Sequence, residues 1–404
     1  MRFSWVTVLF LCGLFTIPLL RLIWLKIPEV SLISTPIQPE PAQTILRWQI
    51  KSTLEPIDLY VTINGALTAL QAVTMLKSLL YFQGRLKSEL PACSLELRRP
   101  PGIVCNRRPK PHVANPLRLH WLTSLDARVW FEDILSRWQP ADMEFHLYEF
   151  ESYLKYIGSI PVNHYAGISA LGKLIVPYVI PTSIDKIIVV DVDTIWNHDI
   201  IDLWRQFDQF KREQAIGAVC EQVRYCPQSC PSNATYLPYF GINSGMMLMN
   251  LTELRRINWW FLWQKEVLKE INETGYLPVA DQQVINQIIR QNPALYHSLP
   301  CEWNIQVHLS SGMDCCPIRW IDRLPEEDDC FEQSQVDYSD NHHTLQQARL
   351  VHHNIRQKPE TSGSNALSPL EWTTSMGNMS LLQLRHRFFR VYHKFRQIPL
   401  SCFT

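Results

Sequence analysis

The segment Lys186-Ile-Ile-Val-Val-Asp-Val-Asp-Thr-Ile-Trp196 constrains the fold more than any other stretch of this chain. Four aliphatic residues run directly into Asp191-Val192-Asp193. An unbroken apolar run of this length, flanked by polar residues, predicts a strand buried on both faces. Two acids one residue apart at its end then lie at the carboxyl edge of a sheet. That edge is where open α/β sheets bind ligands. Two hard oxygen ligands there suit Mn²⁺ or Mg²⁺, and such a metal suits a diphosphate. Surface turns also supply Asp-x-Asp, so it is the aliphatic run that gives the pair its meaning.

The rest of the chain alternates strand and helix patterns. Leu59–Gly65 reads as a strand meeting a glycine, and Ala66–Phe82 carries apolar residues at helical spacing. Strand, turn and helix in that order open a nucleotide-binding α/β unit, although one glycine is equally a plain turn. Residues 84–116 interrupt the pattern with six prolines, clustered arginines and two cysteines. We read them as an insertion, with a Cys93–Cys105 bridge as one way to pin it. Further expected elements are strands near 118–122, 142–148 and 215–220, and helices near 127–138, 166–178, 251–270 and 280–291. A turn at Phe240–Ser244 feeds another apolar strand, and Leu350–Pro359 reads as a strand ending in histidines and bases. The alternation argues for a mainly parallel sheet. The basic amphipathic stretch Leu381–Phe395 either packs as a terminal helix or faces anionic lipid.

Formal net charge is +0, from 38 basic and 38 acidic residues, and no basic run reaches motif quality, so no global field argues for nucleic acid. Phe3–Leu20 lacks charge and is just long enough to span a bilayer. We read residues 1–2 as a cytoplasmic tail, 3–25 as an uncleaved signal anchor and 26–56, rich in Pro and Ser, as a stem; a cleaved signal peptide is the rival. Cys12 lies in the apolar span, which leaves ten of the 11 cysteines, an even set that suits disulfides in an oxidising lumen. Cys226, Cys230, Cys315 and Cys316 lack the histidine spacing of a zinc site. Sequons at Asn233, Asn250, Asn272 and Asn378 all lie on one side of the anchor.

A metal-binding pair sits mid-chain, the polar turn Asn243-Ser244-Gly245 follows, then Asp281-Gln282, and finally His352 and Lys358. Each has a plainer reading alone: a turn, an acid favoured by a helix N-terminus, a buried histidine. In this order they resemble glycosyltransferase family 8, from about Leu59 to Lys358, and most of all the xylose-adding domain of LARGE-type glycosyltransferases. Val73–Phe82, His164–Leu174, Phe240–Gly245, Ala280–Asn286 and Gln291–Asn304 carry the likeness. The match to glucoside xylosyltransferases is looser.

The resemblance implies a single Rossmann-like nucleotide-sugar-binding domain of glycosyltransferase A type over residues 57–360, followed by an extension at 361–404. It implies a retaining transferase using a UDP-sugar, xylose foremost, with Mn²⁺ or Mg²⁺, a glycan or glycoprotein acceptor, and a type II place in the Golgi or endoplasmic-reticulum membrane. Asp191, Asp193 and His352 would be the metal ligands. Thr62, Asn64, Gly65, Lys173, Val192, Ser244 and Lys358 would line the donor nucleotide. Asn243 and Asp281 would grip the donor sugar, Gln282 would stand near the reacting centre, and Trp303 and Asn304 would wall the acceptor. Three departures from the family pattern matter. LARGE-type enzymes carry a second domain that adds glucuronic acid, for which 404 residues leave no room, so this chain alone is not expected to build an alternating polymer. Gln283 replaces a frequent second acid, and Ile355-Arg356-Gln357 fills a gap that commonly holds glycine, which leaves Arg356 as a rival to Lys358. A hexosyltransferase of the same family and a catalytically silent partner in a glycosylation complex stay open, as does oligomeric state.

Overall fold

The computed structural model describes residues 42–48, 52–87, 93, 114–223, 241–320, 346–360 and 379–403. The expected tail, anchor and most of the stem, and most of the 84–116 insertion, lie outside these residues. Among the described residues, no helix is long and apolar enough to cross a membrane.

Thirteen strands are described: β1 (Thr44–Arg47), β2 (Ile57–Ile63), β3 (Leu117–Thr123), β4 (Met143–Glu149), β5 (Lys186–Val190), β6 (Thr194–Trp196), β7 (Ile216–Cys220), β8 (Ile242–Asn250), β9 (Tyr296–Ser298), β10 (Ile305–Gln306), β11 (Ile318–Arg319), β12 (Gln346–Gln347) and β13 (Leu350–His352). Eight form the main sheet in the order β1-β4-β3-β2-β5-β8-β7-β9. The run β4-β3-β2-β5 is parallel, and so is β7-β9. β8 runs antiparallel to both β5 and β7, and β1 antiparallel to β4. The sheet is therefore parallel through β4-β3-β2-β5, with antiparallel pairing on either side of that run. The periodicity of an apolar strand does not reveal its direction, so sequence could not separate β8 from the rest.

The apolar run of β5 is explained by its position. Ile188 and Val190 join one core, while Ile187 and Val189 join the other. A strand covered on both faces has no solvent side to mark with polar residues. The helices Ala66–Phe82, Leu125–Arg137 and Leu381–Gln397 contribute to the first core; Trp259–Thr274 and Ala280–Gln291 contribute to the second. Each fully buried Ile or Val contributes about 1.5–3 kcal/mol, so the strand that carries Asp191 is a firm platform.

Three expectations change, and a fourth, left open between packing and lipid, resolves to packing. The helix expected over 166–178 is a 3-10 segment, Gly167–Ile175, followed by one α-turn, Val176–Val179; Pro177 lacks the N–H a continuous helix needs there. The helix expected over 251–270 breaks into Leu251–Arg256 and Trp259–Thr274, because Asn258 adopts left-handed backbone (φ 60°). Cys93 bonds Cys402, not Cys105. A second bridge joins Cys301 to Cys316, and Cys220 and Cys315 are also disulfide-bonded. Finally, Leu381–Gln397 packs and does not stand free for lipid. A Ser380–Gln383 capping box starts it, Leu384, Phe388, Val391, Tyr392 and Phe395 are its buried stripe, and Phe395 meets Tyr81 at 5.5 Å.

Candidate metal–diphosphate site

β5 ends at Val190, and Asp191-Val192-Asp193 turns the chain into β6. The turn is held at both ends. Asp191 N donates to the Gly245 carbonyl (2.8 Å), and Thr194 Oγ1 donates to the Asp191 carbonyl (2.9 Å). β6 pairs antiparallel with β13, which sets Thr194 opposite His352. His353 N then donates to the Asp193 carbonyl (2.8 Å). A three-residue strand pairing thus delivers a distant imidazole to the acids. Ligand atoms of Asp191, Asp193 and His352 lie within 4.8 Å of one another. His352 Nε2 is 3.3 Å from Asp193 Oδ1 and 3.7 Å from Asp191 Oδ2. Val192 points between them into the first core.

Two lysines flank the acids. Lys173 Nζ lies 2.7 Å from Asp191 Oδ1 and 3.6 Å from Asp281 Oδ2, and donates to the Ser244 carbonyl at 2.9 Å. Lys358 Nζ contacts Asp193 Oδ2, donates to the His353 carbonyl (3.1 Å) and sits over the Tyr165 ring. Arg356 is exposed, so Lys358 is the base at the acids. Burial pushes the Asp193 carboxyl upward, but the Lys358 ammonium opposes it and the acid is held well below its usual range. Burial would likewise lower Lys173, yet Asp191 and Asp281 raise it on balance. Asp281 is raised by burial, which Lys173 only partly opposes.

A polar wall closes the site. Asn243 Oδ1 accepts from Gly245 N (3.0 Å) and Asn304 Nδ2 (2.9 Å), and its Nδ2 donates to Glu221 Oε2 (3.0 Å). Gln282 Nε2 donates to the same Glu221 oxygen (2.9 Å), and Gln282 Oε1 accepts from Ser244 N (3.1 Å). Gly245 is required here: a Cβ would lie 2.0 Å from His352 Cε1. Asp281, in the first turn of Ala280–Gln291, and Asn304 each keep a buried oxygen, Oδ2 and Oδ1, without a hydrogen bond. Such atoms are costly unless a ligand uses them.

At the end of β2, Thr62 lies against Gly172, where a Cβ would be 2.7 Å from Thr62 Oγ1. Asn64 Nδ2 donates to Ser169 Oγ (2.7 Å), and Gly65 takes φ +87° before the helix and donates to Ser124 Oγ (2.9 Å). Thr62 and Asn64 therefore touch the segment that carries Lys173. Trp303 does not wall an acceptor: it is 1 % exposed, packed beside His198 and under Arg349. Gln283 Oε1 accepts from Val279 N, turned back on the helix start. Sequence reasoning missed Glu221. The available signal was its place directly after the Ala215–Cys220 strand, the same edge position that Asp191 holds.

The donor set fits a divalent cation. Two carboxylates and a neutral imidazole suit Mn²⁺, and the two neighbouring ammonium groups suit a diphosphate.

The model of the family described as glycosyl transferase family 8 matches residues 137–360. The chain is 33% identical over 207 residues to the zebrafish (Danio rerio) xylosyl- and glucuronyltransferase LARGE1, covering 51% of this chain and 27% of that protein. It is 31% identical over 210 residues to mouse (Mus musculus) LARGE2, covering 52% and 30%. The match thus spans less than a third of the length of either relative. Among solved structures, mouse xyloside xylosyltransferase 1 aligns at 17% identity and TM-score 0.46, over 74% of this chain and 99% of that one. The galactosyltransferase LgtC, with donor and acceptor sugar analogues, aligns at 14% and 0.47, over 83% and 95%. With more than half of its length matched by the family model, the chain belongs to glycosyltransferase family 8.

Proposed function

We propose that this protein is a metal-dependent, retaining glycosyltransferase that moves xylose from UDP-xylose to a glycan acceptor, as in LARGE-type enzymes. The observation that carries the reading is the meeting of Asp191, Asp193 and His352 with Lys173 and Lys358 at the carboxyl edge of β5. Asp191, Asp193 and His352 would hold a divalent metal, whose positive charge would stabilise the departing diphosphate. Lys358 adds a second positive charge on the same side. Thr62, Asn64 and Gly65 receive the nucleoside. Asp281 accepts hydrogen bonds from donor-sugar hydroxyls, the second Nδ2–H of Asn243 donates to one, and Lys173 bridges Asp281 and Asp191. The acceptor hydroxyl attacks from the leaving-group face and passes its proton to a donor phosphate oxygen, so no strong base is needed.

The acceptor in this reading is a glycan bearing glucuronic acid, and the enzyme is a type II protein of the Golgi or endoplasmic reticulum. The disulfides and the exposed sequon residue Asn272 support an oxidising lumen. A panel of UDP-sugars in a Mn²⁺-dependent hydrolysis assay tests the donor: UDP-xylose should be turned over fastest. Faster turnover of UDP-glucose or UDP-galactose would replace xylose with a hexose. UDP binding without turnover of any donor would favour a silent subunit.

A further inference from the structure

We propose that Glu221 is a positioning residue for the metal-ligating imidazole: acting through Asn243, it holds His352 in the tautomer whose bare Nε2 faces Asp191 and Asp193. The proposal rests on the metal–diphosphate reading of the site.

Glu221 Oε2 lies 3.0 Å from Asn243 Nδ2 and 2.9 Å from Gln282 Nε2. A carboxylate can only accept, so the nitrogen of the Asn243 amide must face it. At the other end, the backbone N–H of Gly245 points at Asn243 Oδ1 from 3.0 Å. A backbone N–H can only donate, so the oxygen must face that way. Amide orientation is ordinarily ambiguous; here two groups of fixed role settle it. Asn304 Nδ2 donates to the same oxygen at 2.9 Å.

His352 Nδ1 lies 3.2 Å from this oxygen. A carbonyl oxygen has no hydrogen to give, so Nδ1 carries the proton. In a neutral imidazole the other nitrogen is then an acceptor. That nitrogen, Nε2, is the one 3.3 Å from Asp193 Oδ1 and 3.7 Å from Asp191 Oδ2. The opposite tautomer would set lone pair against lone pair at Asn243 and aim an N–H at the metal position. Gly245 lets the ring lie close to this amide, since a Cβ would stand 2.2 Å from Nδ1. Glu221 sets a second amide too: with Gln282 Nε2 turned to it, Gln282 Oε1 meets Ser244 N at 3.1 Å.

Histidine-selective ¹⁵N labelling of the full chain, read by long-range ¹H–¹⁵N correlation at pH 8 without metal, reports the tautomers. Substoichiometric Mn²⁺ alone then broadens the ligand imidazole and identifies its signal. The broadened signal is expected to be the Nδ1–H tautomer in wild type and in Glu221→Gln, whose amide oxygen can accept the same bonds. Glu221→Ala should mix the tautomers and weaken Mn²⁺ binding by about 10–100-fold. An Nε2–H tautomer in the wild type, or an unchanged tautomer and Mn²⁺ affinity in Glu221→Ala, overturns the proposal. An Nε2–H tautomer in the wild type overturns the proposal even if Glu221→Ala fails to fold, and so does an Nε2–H tautomer in Glu221→Gln. Mn²⁺ that binds but broadens no imidazole refutes the His352 assignment itself, whereas selective broadening of an Nε2–H imidazole refutes only the relay.

Discussion

Buried charge collects near both ends of the same parallel strands, and the two collections differ in what they leave over. Near the amino ends of β2, β3 and β4, Asp58, Arg118 and Glu144 stand in register. Asp58 spends one oxygen on Arg118 (2.7 Å) and the other on His120 (2.9 Å); His120 meets Tyr148, and Glu144 meets both His146 and Arg47. The acids there are answered by neighbours on the same or the adjacent strand. At the carboxyl edge, Asp193 and Asp191 are answered by lysines from distant segments, while Asp281 Oδ2 and Asn304 Oδ1 carry no hydrogen bond. A cluster whose acids are all answered, with only the Arg118 Nε donor left over, holds a sheet together. A cluster with acceptors to spare is built for something that arrives.

That contrast can be broken by mutation. Asp193→Ala should reduce Mn²⁺-dependent UDP-sugar hydrolysis by about 10³-fold or more; turnover near the wild-type rate would remove the metal from the account. Gly245→Ala drives a methyl into His352 and should weaken Mn²⁺ binding by about 10–100-fold, read by the free Mn²⁺ signal in paramagnetic resonance. Asp58→Ala should do the reverse of these. It leaves Arg118 and His120 unanswered and costs about 3 kcal/mol of stability in denaturant unfolding, while turnover per folded molecule stays at the wild-type level.

The smallest effect concerns pH, in chelator-treated protein. Asp281 is raised in the fold, so the folded state binds more protons than the unfolded one between about pH 3.9 and the raised value, and stability falls as pH rises through that window. Asp193 is depressed, so its contribution is present above about pH 3.9 and is lost as pH falls toward its folded value. Asp281→Asn should therefore gain stability at pH 7 while losing activity, and Asp193→Asn should lose both. Loss of stability in Asp281→Asn would place Asp281 with Asp58, as a structural acid.

Part of this was legible in the chain. Ile187–Val190 announces a strand with two covered faces, and the acids after it fall at the ligand edge by geometry alone. Ala280–Gln291 keeps its apolar stripe and its bounds. What could not be read depends on long-range partners. Nothing local in Leu350-Val-His352 says that it pairs with Thr194–Trp196, and the Cys93–Cys402 bridge closes a separation of 309 residues. Glu221 is one acid after one strand, given meaning only by Asn243 and Gln282. The family resemblance puts Trp303 at the acceptor, yet its environment is a packed core, the commoner fate of tryptophan.

The central claim is that Asp191, Asp193 and His352 hold a metal that recruits a UDP diphosphate. Titration calorimetry of UDP into the wild type and Asp193→Ala, each with Mn²⁺ and with chelator, tests it directly. The account predicts tight UDP binding by the wild type with Mn²⁺, and loss of that binding with chelator or in Asp193→Ala. Equal UDP affinity in all four titrations would contradict it.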